Sequence, residues 1–379
     1  MEDAVAYRLV DSPTPTVRSW DAADDAPRPM DGRLVTAAYA LLSFGAGALQ
    51  VVNVGFNAEV AAVVASPIVA SALTPPIALA SLLAVDPCAG SAKRPTWRAG
   101  FREVPLKVQY LGGALGAAAV LCQTTAAAPL GAVRMHTVMV ATELAATLAL
   151  DHAAPLGRAR HAISPVRALG AAVAAGGVVL SAVGSEATGK AAGPALAAYL
   201  AVAGLNGVFL PVQVTLNTSL AQPFGSPARP AILSMASASL VLAAAVAVLF
   251  AAVPGARNAA VAGLPDVDAY LYSSGVLAAI WVGISVVACK RLSLASFFIL
   301  NTLGRCAASV VVDATGALGF PKLGVDAFAV SGLALACVGA AILQRGSPAT
   351  GPEPPTKTGL ELTAAPLAGD TLAVDAALA

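Results

Sequence analysis

Two charged residues, Glu143 and Arg305, lie inside stretches that are otherwise apolar. Each falls near the middle of a predicted helix, where a charge costs about 2.5–3.5 kcal/mol on membrane-insertion scales and by default indicates a function. Glu143 could be a titratable carboxylate that binds substrate or a proton, and Arg305 could clamp an anion. The two could instead form an ion pair that holds two helices together. A pair that substrate breaks would serve both purposes, so the residue types leave these roles open.

A second set of candidates consists of amide side chains inside apolar runs. Such amides could line a cavity or a gate, or they could hydrogen-bond between helices and contribute about 1 kcal/mol each. Two of them are expected near opposite ends of their helices and therefore not in one site. Two carboxylates, Asp151 and Asp313, are expected to end their helices at the membrane surface in contact with water. The amides are Asn53, Asn57, Gln123, Gln213 and Asn217, and the two expected near opposite ends of their helices are Asn57 and Asn217.

The elements that must position these residues follow from composition. The chain of 379 residues is 58% hydrophobic and 11% charged, whereas charged residues make up about a quarter of an ordinary soluble domain. Apolar runs of about 20 residues recur, which is the length of a helix that crosses a bilayer. We predict an all-α membrane protein with ten transmembrane helices. Their approximate ranges are 34–57, 66–85, 107–128, 130–151, 165–184, 195–218, 228–253, 269–289, 292–313 and 325–344.

The predicted helices carry an internal repeat. Asn53 and Asn57 are matched 160 residues later by Gln213 and Asn217, and Ser66-Pro67 by Ser226-Pro227. A second match, between 142–151 and 304–313, has an offset of 162 and makes Glu143 and Arg305 equivalent positions. Two matches at nearly one offset indicate a duplication. We therefore predict five-helix repeats at 33–184 and 195–344, a linker at 185–194, and disordered cytoplasmic tails at 1–32 and 345–379.

The distribution of Lys and Arg predicts the orientation of the chain. With the N-terminus inside, 17 basic residues fall in cytoplasmic segments, four fall on the opposite side, and Arg305 remains within a helix, as the positive-inside rule favours. Because five is an odd number, the second repeat would be inverted. Inverted repeats are typical of secondary transporters. We therefore expect an integral membrane protein of the plasma membrane that moves a small organic solute by alternating access, with proton exchange at Glu143 as one means of coupling.

Two other classes of function are alternatives to a transporter. A membrane-embedded enzyme would need a nucleophile–base pair or a metal site, and the chain has no HExxH or GxSxG motif and no His residues at ligand spacing. Its five cysteines are scattered without a CxxC, so neither a metal nor another cofactor is expected. A scaffold or receptor would need a large soluble domain. The expected partners are a small solute and the lipid bilayer, without nucleic acid, in either a monomer or a homodimer.

The central motif also resembles a known family. Gly207-x-x-Leu-Pro-x-Gln213-x-x-x-Asn217 with a following Gly225-Ser-Pro resembles the YdcZ-like branch of the drug/metabolite transporter superfamily, and so does the region from Gly112 to Gly170. The resemblance covers most of residues 35–184 and 197–344. It implies a ten-helix transporter-type fold and a small organic substrate. Members often have one five-helix unit, and this chain looks like two units fused. Glu143 stands where the family pattern has glutamine.

Overall fold

The computed structural model describes residues 32–86, 96–104, 106–153, 163–183, 193–221, 223–226, 228–292, 294–320, 322 and 327–345. The predicted terminal tails lie outside these ranges except for Gly32 and Arg345, which belong to helices, and so does the predicted linker except for its last two residues. Regular structure in the described ranges is helical throughout. The prediction of an all-α protein is confirmed.

The described residues form twelve α-helices, and each of the ten predicted ranges overlaps one of the ten long helices. Most predicted ends lie within two residues of the observed ones, because the apolar runs that define the helices are bounded by polar, Gly- or Pro-bearing segments. The first helix, α1, ends six residues later than predicted. The eighth predicted helix, α10, begins five residues later than predicted, after a 3₁₀ turn at Ala269–Ser273. Two short helices, α3 and α9, were not predicted. The bounds are α1 Gly32–Val63, α2 Pro67–Val85, α3 Trp97–Glu103, α4 Leu106–Leu130, α5 Ala132–Ala153, α6 Pro165–Val183, α7 Gly193–Leu220, α8 Ala228–Ala252, α9 Ala256–Gly263, α10 Ser274–Arg291, α11 Leu294–Thr315 and α12 Ala327–Arg345.

Eight segments of the described residues are long and apolar enough to cross a bilayer. They lie in α1, α2, α4, α5, α7, α8, α10 with its preceding turn, and α11. The helix α6 is not among them, and α12 provides a shorter apolar stretch, Val330–Ile342. Since an apolar helix of this length closes its backbone hydrogen bonds within itself, the fold is that of an integral membrane protein.

The two halves of the chain interleave. The helix α1 packs against α10 and α11 of the second half, and α7 packs against α4 and α5 of the first. The pairs α2–α8, α5–α11 and α6–α12 then join equivalent helices of the two halves. In the α6–α12 pair, Gly177 faces Gly332 and Ala336, while Gly339 faces Gly170 and Ala174. The second contact is the equivalent of the first, because each of its residues is related to one in the first by the offset of 162. Each half therefore completes its packing with helices of the other.

Close approach of helices at two equivalent glycines places the candidate charged residues. A Cβ added at Gly47 in α1 would lie 3.0 Å from the backbone nitrogen of Arg305 in α11. A Cβ added at Gly207 in α7 would likewise lie 3.0 Å from the backbone nitrogen of Glu143 in α5. Real Cβ atoms rarely come this close to backbone, so glycine lets each helix pair pack backbone to backbone. The two contacts pack α11 closely against α1 and α5 closely against α7.

Candidate functional site

The buried charges meet between α5 and α11. Nη2 of Arg305 donates to both carboxylate oxygens of Glu143, at 2.5 Å to Oε1 and 2.7 Å to Oε2. The Thr302 hydroxyl lies 3.1 Å from the same Nη2 and 3.5 Å from Oε1. Both charged side chains are fully buried. The structure thus brings together the two residues that the repeat makes equivalent, and each neutralises the other.

More polar groups surround this ion pair than the sequence pattern indicated. His136 lies two turns before Glu143 on α5 and is fully buried, with Nδ1 2.9 Å from the carbonyl of Ala132 and 3.0 Å from the hydroxyl of Ser309. Among the described residues, no hydrogen-bond partner is found for Nε and Nη1 of Arg305 or for the amide of Asn301. The spacing of seven residues between His136 and Glu143 places them on one helix face, and this signal could have identified the histidine.

A cavity of about 50 Å³ lies elsewhere, among α1, α2, α4, α7, α8 and α10. This is enough space for a few water molecules. Three of the predicted amides, Asn53, Gln123 and Gln213, line it, whereas Glu143 and Arg305 do not. The polar lining is completed by Gln50, Thr74 and the indole of Trp281, and no lining side chain is charged.

The lining of the cavity follows the internal repeat. Most of its residues occur in pairs related by the offset of 160 for the helices α1, α2, α7 and α8, or 162 for α4 and α10. The cavity therefore lies where equivalent faces of the two halves meet. The pairs are Gln50 with Leu210, Asn53 with Gln213, Pro75 with Met235, Gly116 with Ala278, Ala119 with Trp281, and Val120 with Val282.

The other two predicted amides are buried beside the cavity and bond between helices. The hydroxyl of Thr74 in α2 donates to Oδ1 of Asn57 in α1 at 2.7 Å. In the second half, Nδ2 of Asn217 in α7 makes a long contact of 3.4 Å to the hydroxyl of Ser234 in α8. Thr74 and Ser234 are equivalent positions. Asn57 and Asn217 thus each connect the first helix of their half to the second, and they do not meet in one site.

The expectation that Asp151 and Asp313 contact water is wrong. The carboxylate of Asp151 pairs with the fully buried guanidinium of Arg167. The two carboxylate oxygens of Asp313, at the end of α11, accept the backbone N–H groups of Ala132 and Val133 at 2.9 and 2.8 Å. These N–H groups begin α5 and have no partner within that helix. Tertiary packing brings a helix start from one half against a helix end of the other, which the sequence pattern does not show.

The described residues contain no group of three or more His, Cys, Asp or Glu side chains that could hold a metal ion. Chemically, the arrangement consists of a neutralised ion pair in one part of the interior and an uncharged cavity with hydrogen-bonding walls in another. Such a cavity can hold a small molecule, and nothing in its lining supplies an acid, a base or a nucleophilic thiol.

Comparison with known proteins agrees with this architecture. A family model described as "Putative inner membrane exporter, YdcZ" matches residues 38–180 and again residues 198–342. A solved structure titled "Crystal structure of protein" aligns with 81% of this chain and 96% of its own, with a TM-score of 0.51 and 17% sequence identity, so the likeness is one of fold. No curated protein matches the chain. The family described is one of membrane exporters and not of enzymes. The chain therefore belongs to the YdcZ family of drug/metabolite-type membrane transporters and contains two fused copies of the family unit.

Proposed function

We propose that this protein is a secondary transporter that carries a small organic solute by alternating access through the cavity among α1, α2, α4, α7, α8 and α10. The observation that carries the proposal is the paired lining, because the two halves present equivalent residues to one space. Two equivalent halves around one site can exchange roles when they rock against each other, which opens the site to either side of the membrane in turn.

We propose further that all ten long helices cross the membrane as two inverted five-helix repeats. Eight already have the length and composition for it. The remaining two, α6 and α12, have 19 residues each and pack along one another, and 19 helical residues extend about 28 Å, close to the thickness of the hydrocarbon core. The excess of Lys and Arg in the segments assigned to the cytoplasm supports cytoplasmic termini. In a bacterial cell this membrane would be the plasma membrane.

The amides and the ion pair take different parts in this proposal. Asn53, Gln123 and Gln213 would contact the solute directly, while Asn57 and Asn217 would hold the first two helices of each half together. The Glu143–Arg305 pair would hold α5 to α11, because it is fully buried and does not line the cavity. Proton coupling at Glu143 would require this pair to open during transport. One chain supplies both halves of the cavity, so a monomer would suffice.

The experiment uses proteoliposomes loaded with a small-molecule extract of cells, and mass spectrometry measures which solutes leave. Wild type is compared with Ala119→Trp, which places an indole on the cavity wall at the position equivalent to Trp281. The control is Ala118→Ile, next to it on α4 and outside the lining, which introduces the side chain of its equivalent, Ile280. We expect wild type and the control to release one class of solute faster than protein-free liposomes, and Ala119→Trp to release it at the protein-free rate.

Two results would contradict the proposal. Undiminished release by a monodisperse Ala119→Trp protein would mean that the solute passes outside the cavity. Equal solute loss from wild-type and protein-free liposomes would favour the scaffold or receptor alternative.

A further inference from the structure

Two residues that line the cavity each carry a buried polar side-chain atom for which the described part of the chain provides no hydrogen-bond partner. The carbonyl oxygen Oε1 of Gln50 and the indole nitrogen Nε1 of Trp281 are buried and make no hydrogen bond among the described residues. Gln50 is 5% exposed and Trp281 7%, and both line the cavity. The large majority of buried polar side-chain atoms find a partner. Two lining residues of one cavity thus carry an acceptor and a donor that a ligand between these helices could pair.

The same cavity lacks any charged group in its lining. Its fifteen lining residues include no Asp, Glu, Lys, Arg or His. Two buried ion pairs, Glu143 with Arg305 and Asp151 with Arg167, lie outside the lining, and the charges in each pair neutralise each other. An ion that entered this space would lose its hydration without gaining a counter-charge, and such a transfer is strongly unfavourable. The electrostatics of the site therefore select against charged solutes.

The apolar lining limits the ligand further. The side chains of Leu210, Val120 and Val282 are apolar and cannot hydrogen-bond, and the indole of Trp281 adds apolar ring surface to its N–H group. Pockets of this kind hold the apolar part of a ligand and use a few polar groups to orient it. A ligand that satisfies both the walls and the two unpaired atoms must carry one donor, one acceptor and an apolar remainder.

We propose that this cavity binds an uncharged small solute of the carboxamide type, which donates its N–H to Oε1 of Gln50 and accepts from Nε1 of Trp281. This inference rests on the proposed transport function and names the substrate class of that site. Gln50 and Trp281 then determine specificity, and the pair is asymmetric between the halves because their equivalents are Leu210 and Ala119. A solute bound this way has one preferred orientation in an otherwise two-fold site.

The test compares molecules of the same shape that differ in charge. Acetamide, acetate and acetamidinium form a series close to the size of the cavity, and benzamide, benzoate and benzamidinium form a larger, aromatic one. The full chain carrying Trp20→Phe and Trp97→Phe retains Trp281 as its only tryptophan, so the fluorescence of that residue reports binding in the cavity. Binding of radiolabelled acetamide and benzamide is then measured on proteoliposomes at neutral pH, with the charged analogues as competitors.

We expect at least one neutral amide to bind and to change the Trp281 fluorescence, and its charged analogues to compete at least about tenfold more weakly, since they would be desolvated without a counter-charge. Gln50→Leu and Trp281→Phe, which each remove one hydrogen-bonding atom, should weaken binding about three- to tenfold. The control is Thr124→Val on α4. Thr124 does not line the cavity, and its buried hydroxyl donates to the carbonyl of Val120 within the same helix. Its affinity should remain within about twofold of wild type, because no bond to the ligand is lost.

Three results would overturn the inference: a charged analogue that binds most tightly, a neutral amide whose binding neither substitution weakens, or no binding of either amide. The extract experiment on Ala119→Trp separates this failure from a failure of transport itself. If charged solutes leave through wild type and not through Ala119→Trp, transport stands and the neutral class is wrong. If no solute leaves faster than from protein-free liposomes, both proposals fail.

Discussion

At the residue scale, the pairing of Glu143 with Arg305 decides what either charge can do. An ion pair without contact to water gains little over apolar packing, because desolvation offsets most of the attraction between the charges. Removal of one partner is different, since it leaves the other charge buried alone. Nη2 of Arg305 bonds both carboxylate oxygens, and no partner is found for Nε and Nη1 among the described residues, so loss of the carboxylate leaves the guanidinium with the Thr302 hydroxyl.

A double-mutant cycle tests this arrangement. Glu143→Gln and Arg305→Gln should each lower the free energy of unfolding by about 3–5 kcal/mol, because each leaves an uncompensated charge. The double variant should regain most of that loss, since no buried charge remains. Equilibrium unfolding in mixed detergent micelles measures all four proteins.

The same cycle separates a structural pair from a coupling site. A loss in the double variant equal to the sum of the losses in the two single variants would mean that the two residues act independently. If the double variant is stable and transports its solute without a pH dependence that wild type shows, Glu143 carries a coupling proton. If wild type and the double variant have the same pH dependence, the pair serves structure.

A carboxylate near the end of α11 in the second half also stabilises the start of α5 in the first half. The carboxylate of Asp313 bonds the first two N–H groups of α5. We expect Asp313→Ala to lower the free energy of unfolding by about 0.5–2 kcal/mol, as loss of an N-terminal cap does. Asp313→Asn keeps an acceptor and should lose less. Thr315→Ala, on an exposed residue two positions later, is the control, and a loss as large as that of Asp313→Ala would exclude the capping role.

At the scale of helices, glycine sets the distance between α1 and α11 and between α7 and α5. The equivalent contacts at Gly47 and Gly207 lie beside Arg305 and Glu143. Side-chain packing and interhelical hydrogen bonds drive association in a membrane, where no hydrophobic force acts between helices. A methyl group in either contact would push two backbones apart and disturb the ion pair.

A matched pair of substitutions tests the contact. Gly47→Ala should lower the free energy of unfolding by about 1–3 kcal/mol, because the methyl group overpacks a backbone contact. Gly45→Ala, two residues earlier in α1, adds a Cβ that meets nothing within 4 Å, and alanine is the better helix former by about 1 kcal/mol. It should leave stability unchanged or raise it. Equal losses in both variants would mean that Gly47 makes no close backbone contact between α1 and α11.

At the scale of the whole molecule, the two halves are one packing unit. The pairs α2–α8, α5–α11 and α6–α12 each join equivalent helices, and α1 and α7 pack mainly against the opposite half. Neither half has a closed interior of its own, so a single unit would need a partner copy. The fusion supplies that partner within the chain and permits the halves to differ, as they do at Gln50 and Leu210.

Cysteine labelling tests the inverted orientation of the halves. In a chain whose native cysteines are replaced, Arg98→Cys in α3 and Asp268→Cys before α10 introduce thiols at exposed positions. If five helices cross in each half, a membrane-impermeant maleimide should label Asp268→Cys on intact cells and Arg98→Cys only after permeabilisation, because α3 lies in the basic segment assigned to the cytoplasm. Labelling of both positions from one side would exclude the predicted topology.

The sequence by itself determined where the helices lie and that the chain is a duplication. A helix in a bilayer closes its hydrogen bonds locally, so its position depends on the length of an apolar run, and that information is contained in consecutive residues. The motif around Gln213 and Asn217 and its copy at Asn53 and Asn57 likewise required only alignment of the chain with itself. Glu143 and Arg305 were recognised as equivalent on the same basis.

Only the tertiary structure decided which polar side chains share a space. A membrane helix is apolar both toward lipid and toward its neighbours, so the pattern of apolar residues leaves the rotation of the helix about its axis undetermined. Packing sets that rotation. It turned Gln50 and Trp281 toward the cavity and Glu143 toward Arg305, and it placed Asp313 at the start of α5, 181 residues before it in the chain.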